Sequence, residues 1–255
     1  MSATRVAYLG YAISSDAHTR YDEPRPSEFD HPMGRFCVQK NRLTFIPAED
    51  FVSVQDARAA VEPFLRAWET EAALKDMEGV IRFRYSDAEI KQLQPDADGN
   101  LVLQASVSSS VRLSDTLIAV VTKAAYPEPS PHFALTSDVD IATARWLGYR
   151  AGREPLLAVA YFILTVLETT FGSRSTAAAS LAVDDKVLKT LGRLSSTAGD
   201  ALTARKMKAA SSPLLNSERA WLEAAIPMLI RRRAEQAAGA TMQPIAMTDL
   251  PILPP

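Results

Sequence analysis

The chain runs to 255 residues with a formal net charge of −2, 47% hydrophobic and 23% charged residues; that balance excludes a largely disordered chain, and the length admits two domains or one large one. A pI near 6.0 excludes a global attraction to phosphate backbones, so nucleic-acid binding would need a locally basic patch. Cys37 is the only cysteine, which excludes an intrachain disulfide and any multi-cysteine zinc or iron–sulfur site and makes the cytoplasm the expected compartment.

In chain order, residues 5–13 are apolar and β-permissive and carry no secretion-signal pattern, so a first strand is expected there. Residues 14–35 are rich in charge and proline and read as a loop. Phe36 to Ile46 reads as a hairpin about Lys40-Asn41, closed by Pro47. From Ser53 the period changes: Val54, Ala57, Val61, Phe64, Leu65, Trp68 and Ala72 share one helical face, with a bend expected at Pro63. Ile81, Phe83 and Tyr85 alternate with Arg82 and Arg84, predicting a strand with one buried and one cationic face. After the Asp98-Gly99-Asn100 turn, Leu101 to Leu113 alternates as a long half-buried strand, and Leu117 to Val121 reads as a further one. The prolines at 127, 129 and 131 predict an extended linker, and with it a boundary between an α+β domain over 1–130 and a helical domain over 136–240.

Beyond the linker, Asp138 to Arg150 is one helix, ended by Gly152. A second has Pro155 in its first turn and Gly172 as its C-terminal cap. Its apolar run from Leu156 to Leu167 falls short of the ~20 residues that cross a bilayer, so no membrane association is expected, and it reads as a core helix surrounded by the others. Val183, Val187, Leu188, Leu191 and Leu194 make a third helix. A fourth, capped by Asn216 and interrupted by Pro227, completes a bundle. Residues 241–255 form a proline-rich apolar tail that either docks on the body or stays mobile. The fold class expected is α+β, a mostly antiparallel sheet with one long helix followed by a helical bundle.

The common catalytic signatures are absent. The ten glycines never form Gly-x-Gly, no Gly-Lys-Ser or Gly-Lys-Thr occurs, and neither Gly-x-Ser-x-Gly nor His-Glu-x-x-His is present, so no cofactor is expected. Asp96 to Asn100 superficially matches a calcium loop, but Val107 stands where a bidentate glutamate is required, and a hairpin turn is the better reading. His18, Asp22, Asp30 and His31 offer imidazole and carboxylate donors to a metal, yet their spacing fits no compact motif and a solvated acidic loop accounts for them. Glu168, one turn after Leu164 in the most apolar helix, reads as a buried carboxylate needing a cation, with Arg145, Arg150 or Arg205 as its partner. The basic run Arg231-Arg232-Arg233 sits near a helix C-terminus and is explained by the macrodipole. Ser195 and Ser196 open a small, hydroxyl-rich loop that precedes Arg205, Lys206 and Lys208, and such a loop can offer amides and hydroxyls to an anion.

Arg153-Glu154-Pro155-Leu156-Leu157, the Tyr161 to Glu168 helix, Leu191 to Ser196 and Ala204-Arg205-Lys206 together resemble the HEPN-type helical bundles of bacterial proteins, over about residues 138–236. That family includes ribonucleases, nucleotide binders and partner modules. Its nucleases use an arginine and a histidine on a late helix, whereas here residues 136–255 contain no histidine and the nominal Arg25 to His31 match holds Pro26. The resemblance therefore implies the fold more than the activity. The leading expectation is a non-catalytic or catalytically degenerate protein whose bundle binds a protein partner, RNA or nucleotide. Two alternatives stay open, a metal-dependent nuclease or hydrolase using the His18/His31 segment and a structural module that forms homo-oligomers.

Overall fold

A computed structural model describes residues 3–15, 19–22, 24–75, 80–95, 101–102, 121–197 and 213–253. The chain divides into two compact units, Met1–Pro129 and Ser130–Pro255, and the class is α+β.

Unit one holds β1 (Ala3–Ser15), β2 (Thr19–Tyr21), β3 (Ser27–His31), β4 (Gly34–Gln39), β5 (Arg42–Pro47), α1 (Val54–Lys75), β6 (Ile81–Pro95), β7 (Leu101–Val102) and β8 (Val121–Lys123). Six strands make one antiparallel sheet in the order β3-β4-β5-β1-β6-β7, while β2 and β8 pair in parallel. The β4–β5 turn is the expected one: Lys40 and Asn41 have φ of 49° and 61°, the left-handed pair that a two-residue hairpin requires. Ser53 starts α1 by accepting the Asp56 amide at 3.1 Å. The helix continues through Pro63 to bury Ala57, Val61, Leu65, Trp68 and Ala72 with Leu9, Tyr11, Phe36, Val38, Leu43 and Phe45 of the sheet.

The segment 14–35 is not simply a loop, since it contains β2 and β3. In β3 the half-buried Ser27, Phe29 and His31 alternate with exposed Glu28 and Asp30, and Phe29 stacks on Phe36 with ring centroids 5.1 Å apart. Charged residues on the outer parity masked a period of two, and Arg35 of the next strand pairs with both carboxylates. The turn into β4 ends at Gly34, with φ of 148°, where a Cβ would stand 2.1 Å from the carbonyl oxygen of Ile46; only glycine fits. Strand β6 shows exposed Arg82 and Arg84 beside buried Ile81, but its pairing with β1 steps from Asp87↔Gly10 to Tyr85↔Tyr11, skipping Ser86. That bulge reverses the parity of the strand, so Ala88 takes the core side opposite Leu9 while Asp87 turns to the other face, over Gly10. The predicted strands at 101–113 and 117–121 lie outside the described residues apart from Leu101, Val102 and Val121. The proline linker is tied to unit one through Tyr126, which stacks on Tyr21 at 4.2 Å and donates to Asn41, and through Trp68 Nε1, which donates to the Pro127 carbonyl at 2.7 Å.

Unit two holds α2 (Ser137–Arg150), α3 (Leu156–Phe171), α4 (Arg174–Ser180), α5 (Asp185–Thr197), α6 (Asn216–Ala237) and a 3₁₀ turn at Met247–Asp249. Gly152 and Gly172 stop α2 and α3 with φ of 69° and 82°. Helix α4 was hidden in the sequence because Arg174–Ser180 buries only Ala177 and Ala178 and so has no apolar stripe; Ser173 caps it, accepting the Thr176 amide at 3.1 Å. Helix α6 is not interrupted. Pro227 lies inside it, buried beside Ile226, Leu229 and Ile230, where packing offsets the lost backbone bond. Nor does Asn216 cap it, since it is the first helical residue and Glu218 instead accepts the Leu215 amide at 3.0 Å.

The tail docks. Ile245 forms a parallel bridge with Val183, and Leu250 is buried. Residues 243–250 thus lie against the bundle, bonded to Arg232, Ala182 and Asp184.

Candidate functional site

Helix α3 is the first place where structure departs from expectation in a way that bears on function. It buries Leu156, Leu157, Val159, Ala160, Ile163, Leu164 and Leu167. The opposite side is covered only in part: Phe162 and Val166 are half-buried against residues of α2 and α6, Ala158 and Tyr161 are half-buried, and Thr165, Thr169 and Thr170 are exposed. Ala158, Phe162, Thr165 and Thr169 follow one another at three- and four-residue spacing and form a continuous stripe. From Leu156 to Phe171 the only charged residue is Glu168.

Glu168 is not buried, and its partner is none of the three expected arginines. Its carboxylate takes the Arg174 guanidinium at 2.6 Å across the Gly172 turn, and its side chain keeps 37% of its exposure. Arg145 instead pairs with Glu154 at 2.8 Å and covers the Phe162 ring at 4.4 Å. Both pairs rest on glycines. A Cβ on Gly192 would meet Arg174 Nη1 at 2.7 Å, and one on Gly148 would meet Glu154 Oε1 at 3.0 Å. The glycines let two ion pairs lie flat on α5 and α2, which is a structural role for Glu168.

Ser195 and Ser196 are not in a loop. Helix α5 runs through Thr197, Ser195 is buried, and Ser196 donates to the Gly192 carbonyl at 2.5 Å. Hydroxyls that bond back four residues are held by their own helix rather than offered outward. Arg205, Lys206 and Lys208, the cations of the expected anion site, lie outside the described residues. The arginine run in α6 is fully engaged: Arg231 and Arg232 with Glu235 at 3.1 and 3.2 Å, and Arg233 with Asp138 at 2.7 Å.

Of the acidic segment, His18 lies outside the described residues, Asp22 is exposed, and Asp30 pairs with Arg35 at 3.0 Å. His31 packs on Phe64 at 4.6 Å, its Nδ1 accepts the Met33 amide at 3.3 Å, and burial lowers its pKa. Among the described residues no three His, Cys, Asp or Glu side chains converge as metal ligands.

Sequence reasoning missed a second polar cluster, on the sheet. Arg42 on β5 and Asp87 on β6 meet over β1 in a bidentate pair, at 2.7 and 2.5 Å, with Arg42 also above the Tyr8 ring at 5.8 Å. The Arg42 hydrogen bonds hold the Asp87 carboxyl below the usual carboxylate range. Gly10 makes the crossing possible, since a Cβ there would lie 2.4 Å from Arg42 Nη2. An isolated glycine inside an apolar strand was the available signal. With a buried carboxylate and a partly exposed guanidinium, the cluster fastens three strands.

No single helix among the described residues is long and apolar enough to cross a membrane, although α3 and α4 pass together as a pair bent by 84°. Compared with known proteins, the chain matches no family model, no curated protein and no solved structure.

Proposed function

We propose that this is a cytoplasmic, bacterial partner-binding protein, and that its bundle docks another protein through the outer face of α3. The observation that carries the reading is the composition of that face. Ala158, Tyr161, Thr165 and Thr169 retain accessible surface on a helix whose one charge, Glu168, is already engaged by Arg174. Interface centres are depleted of charge and enriched in aromatic residues. Among the described residues, Arg145 is committed to Glu154 and the Arg231–Arg233 run to carboxylates, so these cations are not the ones that would hold a phosphate-bearing ligand. The likeness to HEPN-type bundles is compatible with this role, since partner modules occur among them. The test places charge on the stripe. Thr165 and Thr169 are exposed, so Thr165→Asp with Thr169→Asp should leave the circular dichroism spectrum unchanged and abolish co-purification of the partner with tagged protein. Retained co-purification would reject the α3 face.

A further inference from the structure

The docked tail has the form of a bound peptide. Leaving α6 at Gly239, whose φ is 69°, the chain passes exposed residues and is then caught at three backbone positions. The Gln243 carbonyl accepts Arg232 Nη2 at 2.6 Å, the Ile245 amide donates to the Ala182 carbonyl at 2.8 Å, and the Ile245 carbonyl accepts the Asp184 amide at 2.8 Å. The last two bonds form the parallel bridge to Val183, the pattern by which an extended peptide adds itself to a receiving backbone. Five residues on, Leu250 is the one buried residue of the segment, and the 3₁₀ turn between the two anchors is closed by Asp249, whose carboxylate accepts the Ala246 amide at 2.8 Å.

The receiving side is built for this. Ala182 has φ of 50°, a left-handed conformation rare for a residue with a Cβ, and it lies in the turn whose carbonyl and amide flank Ile245. The turn is otherwise locked, with the Val183 amide donating to Ala178 and Asp184 capping α5 through the Lys186 amide at 3.0 Å. Arg232, with only 12% of its side chain exposed, points a guanidinium N–H at the place where a peptide carbonyl arrives. The receiving groups, the Ala182 carbonyl, the Asp184 amide and the Arg232 guanidinium, belong to the 181–184 turn and to α6, which hold their own bonds besides those to the tail. The tail itself is held by a few bonds and one anchor. Segments of that kind open locally at far lower free energy than the core.

We infer that the cleft between the 181–184 turn and α6 is an acceptor for an extended apolar peptide of a partner protein, with a bridging residue followed five positions later by a leucine, and that residues 243–250 occupy it as a displaceable internal strap. This goes beyond the α3 reading and does not depend on it.

Hydrogen exchange on the full chain tests it. The Asp184 and Ile245 amides should exchange at matching rates, at least tenfold faster than interior amides of α3 and α6. Leu250→Ala should speed both a further tenfold or more and leave the α6 interior unchanged, and excess synthetic peptide of residues 242–253 should then restore protection at Asp184. The idea is overturned if Asp184 and Ile245 in the wild-type chain exchange only with the α3 interior, a measurement that needs no variant, or if the peptide fails to protect Asp184. Protection that rises with chain concentration, alongside dimer formation, would assign the cleft to the tail of a second copy and overturn the partner claim. If Leu250→Ala does not fold, Ile245→Pro, which removes the bridging amide donor, serves in its place.

Discussion

Gly10→Ala is the substitution whose outcome separates the geometry described here from ordinary propensity. Alanine in a strand interior gains about 0.5–1 kcal/mol over glycine through lost backbone freedom in the unfolded chain. Here, however, the new Cβ would stand 2.4 Å from Arg42 Nη2 and 2.8 Å from Asp87 Oδ2, so the bidentate pair must leave its seat. The Asp87 side chain is 7% exposed and that of Arg42 41%. Breaking a fully buried pair costs about 3–5 kcal/mol, and a pair at the surface about 0–1 kcal/mol. A buried carboxylate facing a partly solvated guanidinium falls between, near 2–3 kcal/mol, leaving a net destabilisation of about 1–2 kcal/mol. The pH dependence supplies a second signature. Because Arg42 depresses the folded Asp87 pKa, the pair's contribution is full above the unfolded value of about 3.9 and is lost as pH falls through the folded one. The difference between wild type and Gly10→Ala should therefore be constant from pH 8 to 5 and shrink below about pH 4. Urea titration followed through the NMR amide signals of β1 and β6 isolates unit one from the rest of the chain. A variant as stable as wild type at pH 7, or a difference that does not fade in acid, would show that the pair does not sit over Gly10.

Gly34→Ala should be more damaging, adding about 1–3 kcal/mol of backbone strain to a collision with the Ile46 carbonyl oxygen at 2.1 Å; a thermal midpoint equal to wild type would contradict the hairpin geometry. Glu168→Ala should cost no more than about 1 kcal/mol, the range of a half-exposed pair, and a loss of about 3 kcal/mol in denaturant unfolding would instead signify a buried charge. Burial lowers the His31 pKa, so the folded state favours the neutral ring: unit-one stability should fall as pH drops from about 6.5 toward the lower folded value and then level off. His31→Phe should remove that step, and stability that rises over the same interval would reverse the assignment. A fragment spanning Ser130–Pro255 should fold alone as a helical unit, whereas an unfolded far-ultraviolet spectrum would deny its independence.

Periodic, strongly apolar elements were legible. The β4–β5 hairpin, α1 and the helices around Trp146, Leu164, Leu191 and Trp221 each combine a clear repeat with punctuating Gly, Asn or Ser. Elements that satisfy themselves by other means were not. Strand β3 hides its alternation under Glu28 and Asp30, α4 buries two alanines, and Ser195 and Ser196, residue types that favour turns, lie within α5 with their hydroxyls bonded back to the Gly192 carbonyl. Long-range ion pairs are the least legible of all. Arg42 and Asp87 are 45 residues apart, and only the bulge at Ser86 turns Asp87 toward β1. The α3 stripe needed the structure as well. A run that is apolar from Leu156 to Leu167 does not reveal which side its neighbours leave uncovered.

The claim that α3 is a docking face is tested most directly by a photo-cross-linking residue placed at Thr165, in cells that make the protein, beside a control at Arg153, exposed in the same unit. A single discrete protein adduct from position 165, absent from 153, is the predicted result. No adduct from position 165, or the same adducts from both positions, would contradict it.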